Sequence, residues 1–102
     1  MTSAERRAFA ADAVGRLIEM VRSQGPGHQT WYLMLLDIRD VLASPASDED
    51  ALRDAGEMFA ALYRGPRNFS DFYLEAKDEA TRIRKNQQLE NAIRALREAT
   101  RS

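Results

Sequence analysis

The chain lacks cysteine altogether and has a single histidine, His28, among its 102 residues. The absence of cysteine excludes disulfides, thiolate metal sites and cysteine nucleophiles. His28 lies in the connection GPGHQT, so a Ser-His-Asp relay would need that loop to fold against a distant serine. No glycine-rich phosphate-binding motif is present. These absences predict a protein that is not an enzyme and has no catalytic residues, metal site or cofactor.

Neither sign of charge dominates, and no long hydrophobic run occurs. Fifteen basic and sixteen acidic residues give a formal net charge of -1, which provides no general attraction to nucleic acid or to acidic membranes. No segment approaches a membrane-spanning length, and the charged N-terminus lacks the apolar core of a signal peptide. We therefore expect a cytoplasmic protein that binds neither membranes nor nucleic acid. Arginine supplies thirteen of the basic residues, a usage that suggests a GC-rich bacterial genome.

The chain does contain apolar residues at helical spacing, within a composition that is 44% hydrophobic and 30% charged. Its length suits one compact domain over residues 1–102. The pattern predicts an all-α fold, a small bundle of three to four main helices with a Gly-Pro corner before the C-terminal helix. Start and stop signals place these helices near residues 3–23, 30–43, 48–64 and 78–100.

The predicted helices differ in how much of their surface is apolar. The second is apolar almost all round, which is typical of a central helix. The last has a narrow apolar stripe that we expect its own chain to bury only in part, which favours pairing with a second copy or a partner. The stripe consists of Ile83, Leu89, Ile93 and Leu96. The predicted core includes Leu35, Ile38, Phe59 and Leu62.

Four of the eight aromatic residues fall in one segment, YRGPRNFSDFYLEAKD at residues 63–78. Gly65 and Pro66 are expected to end the third helix, and Ser70 is a good cap for a restarted turn. A hydrophobic staple between Phe69 and Leu74 would then set the direction of the chain.

Two interpretations of this corner remain open. In the first, Phe69, Phe72 and Leu74 plug the end of the bundle. In the second, the segment presents a partner-binding surface, because tyrosine and arginine are common anchors of interfaces. The candidate partner-binding residues are Tyr63, Arg67, Asp71 and Tyr73. We expect Phe69 and Phe72 to point inward and Arg67 and Tyr73 to remain exposed.

At this corner the chain resembles a family of small uncharacterised bacterial helical proteins. In that family a glycine-containing turn leads into an aromatic residue, a small polar residue, Asp and another apolar residue. The matching positions are Gly65, Phe69, Ser70, Asp71 and Phe72. A second glycine of the family's turn is replaced here by Pro66 or Arg67. The resemblance covers about a tenth of the chain and implies a helical fold, with no activity attached.

Charge is unevenly distributed along the chain. Residues 37–57 contain seven acids and two bases, and residues 82–101 contain six bases and two acids. The basic C-terminal helix is therefore expected to face the acidic third helix, either within one molecule or across a homodimer. Two groups of carboxylates have the spacing to share a helical face, and solvated charged faces are favoured over a cation site. They are Asp37 with Asp40, and Asp50 with Asp54 and Glu57.

Together these features predict a non-enzymatic helical protein-protein interaction module, either a homodimer or a small bacterial immunity or regulatory factor. The alternative is a small-ligand-binding bundle or a minor enzyme with an aromatic-lined pocket. That pocket would be formed by Trp31, Tyr32, Tyr63 and Tyr73. A pocket that contains those four side chains would favour the alternative.

Overall fold

The computed structural model describes residues 1–101, which form four α-helices and contain no β-strand. The helices are α1 (Ser3–Ser23), α2 (Gln29–Leu42), α3 (Asp48–Ala61) and α4 (Glu79–Thr100). Short 3₁₀ turns occupy Pro26–His28 and Phe69–Asp71. The predicted all-α bundle is therefore confirmed. None of the described helices is long and apolar enough to cross a membrane.

Side-chain caps fix where three of the helices begin. The Thr2 hydroxyl accepts from the Glu5 backbone N–H and the Glu5 carboxylate accepts from the Thr2 N–H, both at 3.1 Å, so the two residues form a capping box. α3 and α4 each have a single cap bond: the Ser47 hydroxyl accepts from the Asp50 N–H, and the Asp78 carboxylate accepts from the Thr81 N–H. Hydrogen bonds with Thr2 lower the pKa of the Glu5 carboxyl below its ordinary value, and hydrogen bonds with Thr81 lower the pKa of the Asp78 carboxyl in the same direction.

The helix at the centre of the bundle is α1, so the prediction of a central α2 is wrong. α1 packs against each of the other three helices, and α4 packs chiefly against α1. Adjacent residues of α1 are buried at both 13–14 and 17–18, which widens its buried face enough to contact several neighbours. α2 buries a single ridge, and Leu33 on its outer side is exposed. That ridge consists of Leu35, Ile38 and Leu42.

The predicted core is confirmed, since Leu35, Ile38, Phe59 and Leu62 are all buried. The C-terminal stripe is buried only in part within its own chain. Leu89 and Leu96 are buried where α4 packs along α1, Ile93 is half-buried and Ile83 is exposed.

α3 ends at Ala61, three residues before the predicted end at residue 64, and a short turn leads from it into the Gly-Pro corner, beyond which no α-helix restarts before α4. Gly65 has φ of +87°, the left-handed conformation that glycine tolerates. The 3₁₀ turn that follows is capped by Asn68, whose Oδ1 accepts from the Ser70 backbone N–H at 3.0 Å. A turn therefore restarts where it was predicted, but Asn68 caps it and Ser70 lies within it. Phe69 and Leu74 are both buried, but they do not form a staple at a helix start.

An extended strap, residues 72–78, joins this turn to α4. The Asn86 side chain holds it as a β-strand neighbour would. Its Oδ1 accepts from the Leu74 N–H and its Nδ2 donates to the Leu74 carbonyl, both at 2.8 Å. Gln24 at the end of α1 accepts from the Glu75 N–H at 3.1 Å. The strap thus crosses from the end of α1 to the first turns of α4 with its backbone partly paired.

Arg7 fixes the connection between α2 and α3. Its guanidinium donates to three backbone carbonyls at 2.8, 2.6 and 2.8 Å and pairs with the Asp48 carboxylate at 3.0 Å. The carbonyls belong to Leu42, Ser44 and Ala46. A planar group with five donors can satisfy such a curved run of acceptors, which a lysine ammonium cannot. One side chain of α1 therefore positions the start of α3.

Two glycines provide a matched test of backbone conformation. Gly15 lies inside α1, and a Cβ added there would meet no atom within 4 Å, so Gly15→Ala should stabilise the protein by about 0.5–1 kcal/mol. Gly65→Ala should destabilise it by about 1–2 kcal/mol because an L side chain is strained at positive φ. Urea unfolding of both variants measures these changes. Shifts of the same sign would contradict the assigned conformations.

Candidate functional site

The four candidate partner-binding residues do not form one site. Arg67 and Asp71 line a cavity of about 560 Å³ together with His28 and Trp31. Tyr63 lines a different cavity, between α3 and α4. Tyr73 is 59% exposed, and its hydroxyl donates to the Glu75 carboxylate at 3.3 Å. The structure therefore brings together Arg67 and Asp71 only.

The interior of the corner is a packed aromatic cluster. Phe69 and Phe72 are buried and stack with ring centroids 5.4 Å apart, and Trp31 meets both edge to face. His28 stacks on the outer side of Trp31 at 5.4 Å. Arg67 and Tyr73 are exposed, so the predicted inward and outward directions are confirmed. The aromatic residues of the corner therefore plug this end of the bundle.

The four aromatic side chains of the alternative interpretation do not line one pocket. Trp31 contributes to the cavity at the corner and Tyr32 to a smaller one beside Val21. Tyr63 lies at the α3–α4 cavity, and Tyr73 points to solvent. Within residues 1–101, no group of three or more histidine, aspartate or glutamate side chains is placed to hold a metal ion.

The cavity between α3 and α4 is a long open groove of about 810 Å³, here named the α3–α4 groove. One wall follows α3 from Glu49 and continues just past the helix end to Tyr63, fourteen residues further on, which corresponds to roughly 21 Å at the rise of an α-helix. The floor is apolar, because the outer surfaces of Leu52 and Phe59 reach it and Ala60 adds only a methyl group. The opposite wall is formed by the end of α4 and by Arg6 of α1.

Gly56 lies halfway along the groove and allows α4 to approach α3 closely. A Cβ at this position would lie 3.2 Å from the Thr100 Cβ, which is tighter than ordinary van der Waals contact. The last turn of α4 therefore lies directly beside the middle of α3. Arg6 holds that turn in place by donating to the carbonyl of Ala99 at 3.1 Å and to the carbonyl of Arg101.

Arg97 covers one end of the groove. Its guanidinium carbon lies 5.8 Å from the ring centroid of Phe59 and 5.3 Å from that of Tyr63, within cation-π range of both. Burial raises the pKa of the Tyr63 phenol, and the charge of Arg97 opposes that shift in part. The phenol therefore stays neutral at physiological pH and presents a hydroxyl group at the end of an otherwise apolar floor.

Charges of both signs line the groove, and several have no ionic partner among residues 1–101. Arg53 pairs with Asp50 at 3.0 Å and with Asp54 at 3.5 Å on its own helix. The ion pairs of the described chain include none that involves Glu49, Glu57, Arg97 or Arg101. Acidic α3 and basic α4 pack against each other within one molecule, as one of the two expected arrangements has it. Among residues 1–101, however, no ion pair joins the two helices.

The α3–α4 groove is not among the sites predicted from the sequence, although the sequence contains one signal for it. Residues 49, 53, 56, 60 and 63 follow a single helical stripe that mixes charged, small and aromatic residues. Such a stripe suits neither a core face nor a fully solvated face. Arg97 and Thr100 complete the groove from a helix about forty residues away, and no local pattern links them to α3.

Comparison of the chain with models of known protein families, with curated proteins and with solved structures finds no significant match. The function is therefore inferred from the geometry and chemistry of the α3–α4 groove.

Proposed function

We propose that this protein is a non-enzymatic interaction module, of the kind used as a small regulatory or immunity factor, and that it binds another protein chain in the α3–α4 groove. One observation carries the proposal. The groove combines an apolar floor with charged residues of both signs that lack ionic partners within the described chain. Protein interfaces commonly have an apolar centre and a charged rim of this kind.

The shape of the groove favours a helix as the bound element. A span of roughly 21 Å corresponds to about four helical turns, and grooves between two helices commonly receive the apolar face of a third. Tyr63 and Arg97 at one end supply residue types that often dominate binding energy. His28, the residue best suited to acid-base chemistry at neutral pH, lies outside the groove in the cavity at the corner.

Site-specific cross-linking tests the proposal. A photoreactive benzoylphenylalanine replaces Ala60, which is exposed in the groove, or Ala8, which is exposed on α1 outside it. Irradiation in extracts of the native cells should join another protein chain to position 60 and none to position 8. The cross-link should disappear when Arg97→Ala is introduced into the position 60 variant. Equal cross-linking at both positions, or none at position 60, would contradict the proposal.

The corner provides a competing surface that can be tested in the same way. In the position 60 cross-linking variant, Arg67→Ala with Tyr73→Ala removes two exposed side chains that lie outside the groove. If the groove is the binding surface, this double change should leave the cross-link at position 60 intact. Loss of the cross-link with unchanged circular dichroism would move the binding surface to the corner, as the second sequence interpretation has it.

A further inference from the structure

The two long walls of the α3–α4 groove differ in charge. The wall formed by α4 and α1 contains Arg6, Arg97 and Arg101, and none of its described lining residues is a carboxylate. Within residues 1–101 none of these three arginines forms an ion pair. Glu98 lies between two of them in the sequence but does not line the groove. This wall, here named the arginine wall, therefore presents positive charge to whatever lies in the groove.

The α3 wall has the opposite balance of charge. Glu49 and Glu57 line it, and neither forms an ion pair within the described part of the chain. Arg53 lies between them but is already paired with Asp50 at 3.0 Å and with Asp54 at 3.5 Å. Four carboxylates thus accompany one guanidinium on this part of α3, and all five groups are ionised at neutral pH. The α3 wall is therefore negative.

The arginine wall holds its like charges close together. Arg97 and Arg101 are four residues apart, which is about one helical turn, and Arg6 donates to the backbone carbonyl of Arg101. Like charges at this separation repel each other. A carboxylate from a bound molecule would relieve that repulsion and would interact favourably with more than one guanidinium. The arginine wall therefore favours an acidic surface on the occupant of the groove.

We propose that the occupant of the α3–α4 groove is an amphipathic helix of another protein, with acidic residues along one flank of its apolar stripe and basic residues along the other. The inference rests on the proposed function and specifies the chemistry of the partner. The apolar stripe lies on the floor formed by Leu52 and Phe59, the acidic flank meets the arginine wall and the basic flank meets the α3 wall.

The opposite charges of the walls also exclude other occupants. A helix that is acidic on both flanks is repelled by the α3 wall, and a helix that is basic on both flanks is repelled by the arginine wall. A nucleic acid strand, which carries negative charge along its whole backbone, meets the same repulsion from Glu49 and Glu57. The groove thus selects a partner by the distribution of its charge and not by its net charge.

Fluorescence anisotropy with synthetic peptides tests the inference. The probe, here named the two-sided peptide, is a fluorescein-labelled stapled helix of about four turns, with a leucine stripe flanked by glutamate on one side and lysine on the other. It should bind when the protein is titrated to about 0.5 mM in about 50 mM salt. Replacing every glutamate by glutamine should weaken binding at least about tenfold, because several exposed ion pairs are lost together. Peptides with glutamate on both flanks, or lysine on both flanks, should also bind more weakly.

Variants of the protein make the test specific to the arginine wall. Arg97→Gln with Arg101→Gln should weaken binding of the two-sided peptide about tenfold and leave binding of the glutamine peptide unchanged. Arg101→Gln alone should weaken it about threefold and keeps Arg97 on its aromatic rings, so its circular dichroism and melting temperature should not change. Arg84→Gln with Lys85→Gln is the matched control, since it removes two charges from exposed positions of α4 outside the groove and should have no effect.

The outcomes separate this inference from the function on which it rests. The two-sided helix is wrong if no peptide binds, if the glutamate and glutamine peptides bind equally, or if the arginine variants bind as the unmodified protein does. Tighter binding of a labelled thymidine oligonucleotide than of the two-sided peptide would point to nucleic acid and would overturn it too. In each of these cases, a protein chain cross-linked at position 60 would keep the interaction module. Absence of a cross-link at position 60 would overturn both proposals.

Discussion

Leu35→Ala should lower the free energy of unfolding by about 2–5 kcal/mol, because the substitution removes a side chain that is completely buried and leaves a cavity. Leu35 belongs to the single ridge by which α2 contacts the core. A domain of this size is stable by about 5–15 kcal/mol, so the loss is a large fraction of the total. Urea unfolding monitored by circular dichroism measures the change.

Leu33→Ala is the matched control for Leu35→Ala. The residue type, the helix and the substitution are identical, but Leu33 is 49% exposed. Its replacement should cost less than about 1 kcal/mol, because only part of its apolar surface is removed from water on folding. Because helix propensity changes equally in both variants, the difference between their losses of unfolding free energy measures the contribution of burial. Equal losses at both positions would contradict the orientation of α2.

The elements that the sequence predicted well are those set by neighbouring residues. The start of α1 depends on Thr2 and Glu5, which are three residues apart, and the start of α3 depends on Ser47. The turn after α3 contains Gly65, whose positive φ suits the glycine that was expected to stop the helix, although α3 itself ends at Ala61. Each interaction closes within one or two turns of chain, so sequence spacing is sufficient to find it.

Long-range interactions account for the elements that were predicted wrongly. Ser70 has the chemistry of a helix cap, but residues 72–78 are extended because Asn86 and Gln24 supply hydrogen-bond partners from other helices. Both partners are distant in sequence and have no motif that marks them. The central position of α1 likewise depends on the width of the face that it buries. The sequence pointed instead to α2, because α2 is the more hydrophobic helix even though it buries only one ridge.

The same distinction applies to the candidate site. The corner was predicted as a site because it is rich in aromatic residues. Its phenylalanines are buried against Trp31, and the residues beside them reach solvent. Tyr63 was named as part of that corner, and it lies in the α3–α4 groove because its ring packs on Phe59 and beneath Arg97. The groove exists only once α4 has folded back along α1 and closed on Gly56.

Arg7→Met should destabilise the protein by about 3 kcal/mol, a large effect for a charged residue near the surface. Hydrogen bonds from a charged donor contribute roughly 1.5–3 kcal/mol each when they are not replaced by water. The Arg7 side chain is only 16% exposed and makes four such bonds, and water can replace some of those to the loop carbonyls. Arg7→Lys should lose most of the same stability, because one ammonium group cannot serve a planar set of acceptors.

Arg16→Met is the control for the loss of charge from α1. Arg16 pairs with Asp12 one turn away, and both side chains are largely exposed, so its replacement should change stability by less than about 0.5 kcal/mol. Unfolding in low and high salt separates the two sites further, since a mostly buried group is screened little and the Arg7 effect should persist. Equal and small losses in both variants would show that the α2–α3 connection does not depend on Arg7.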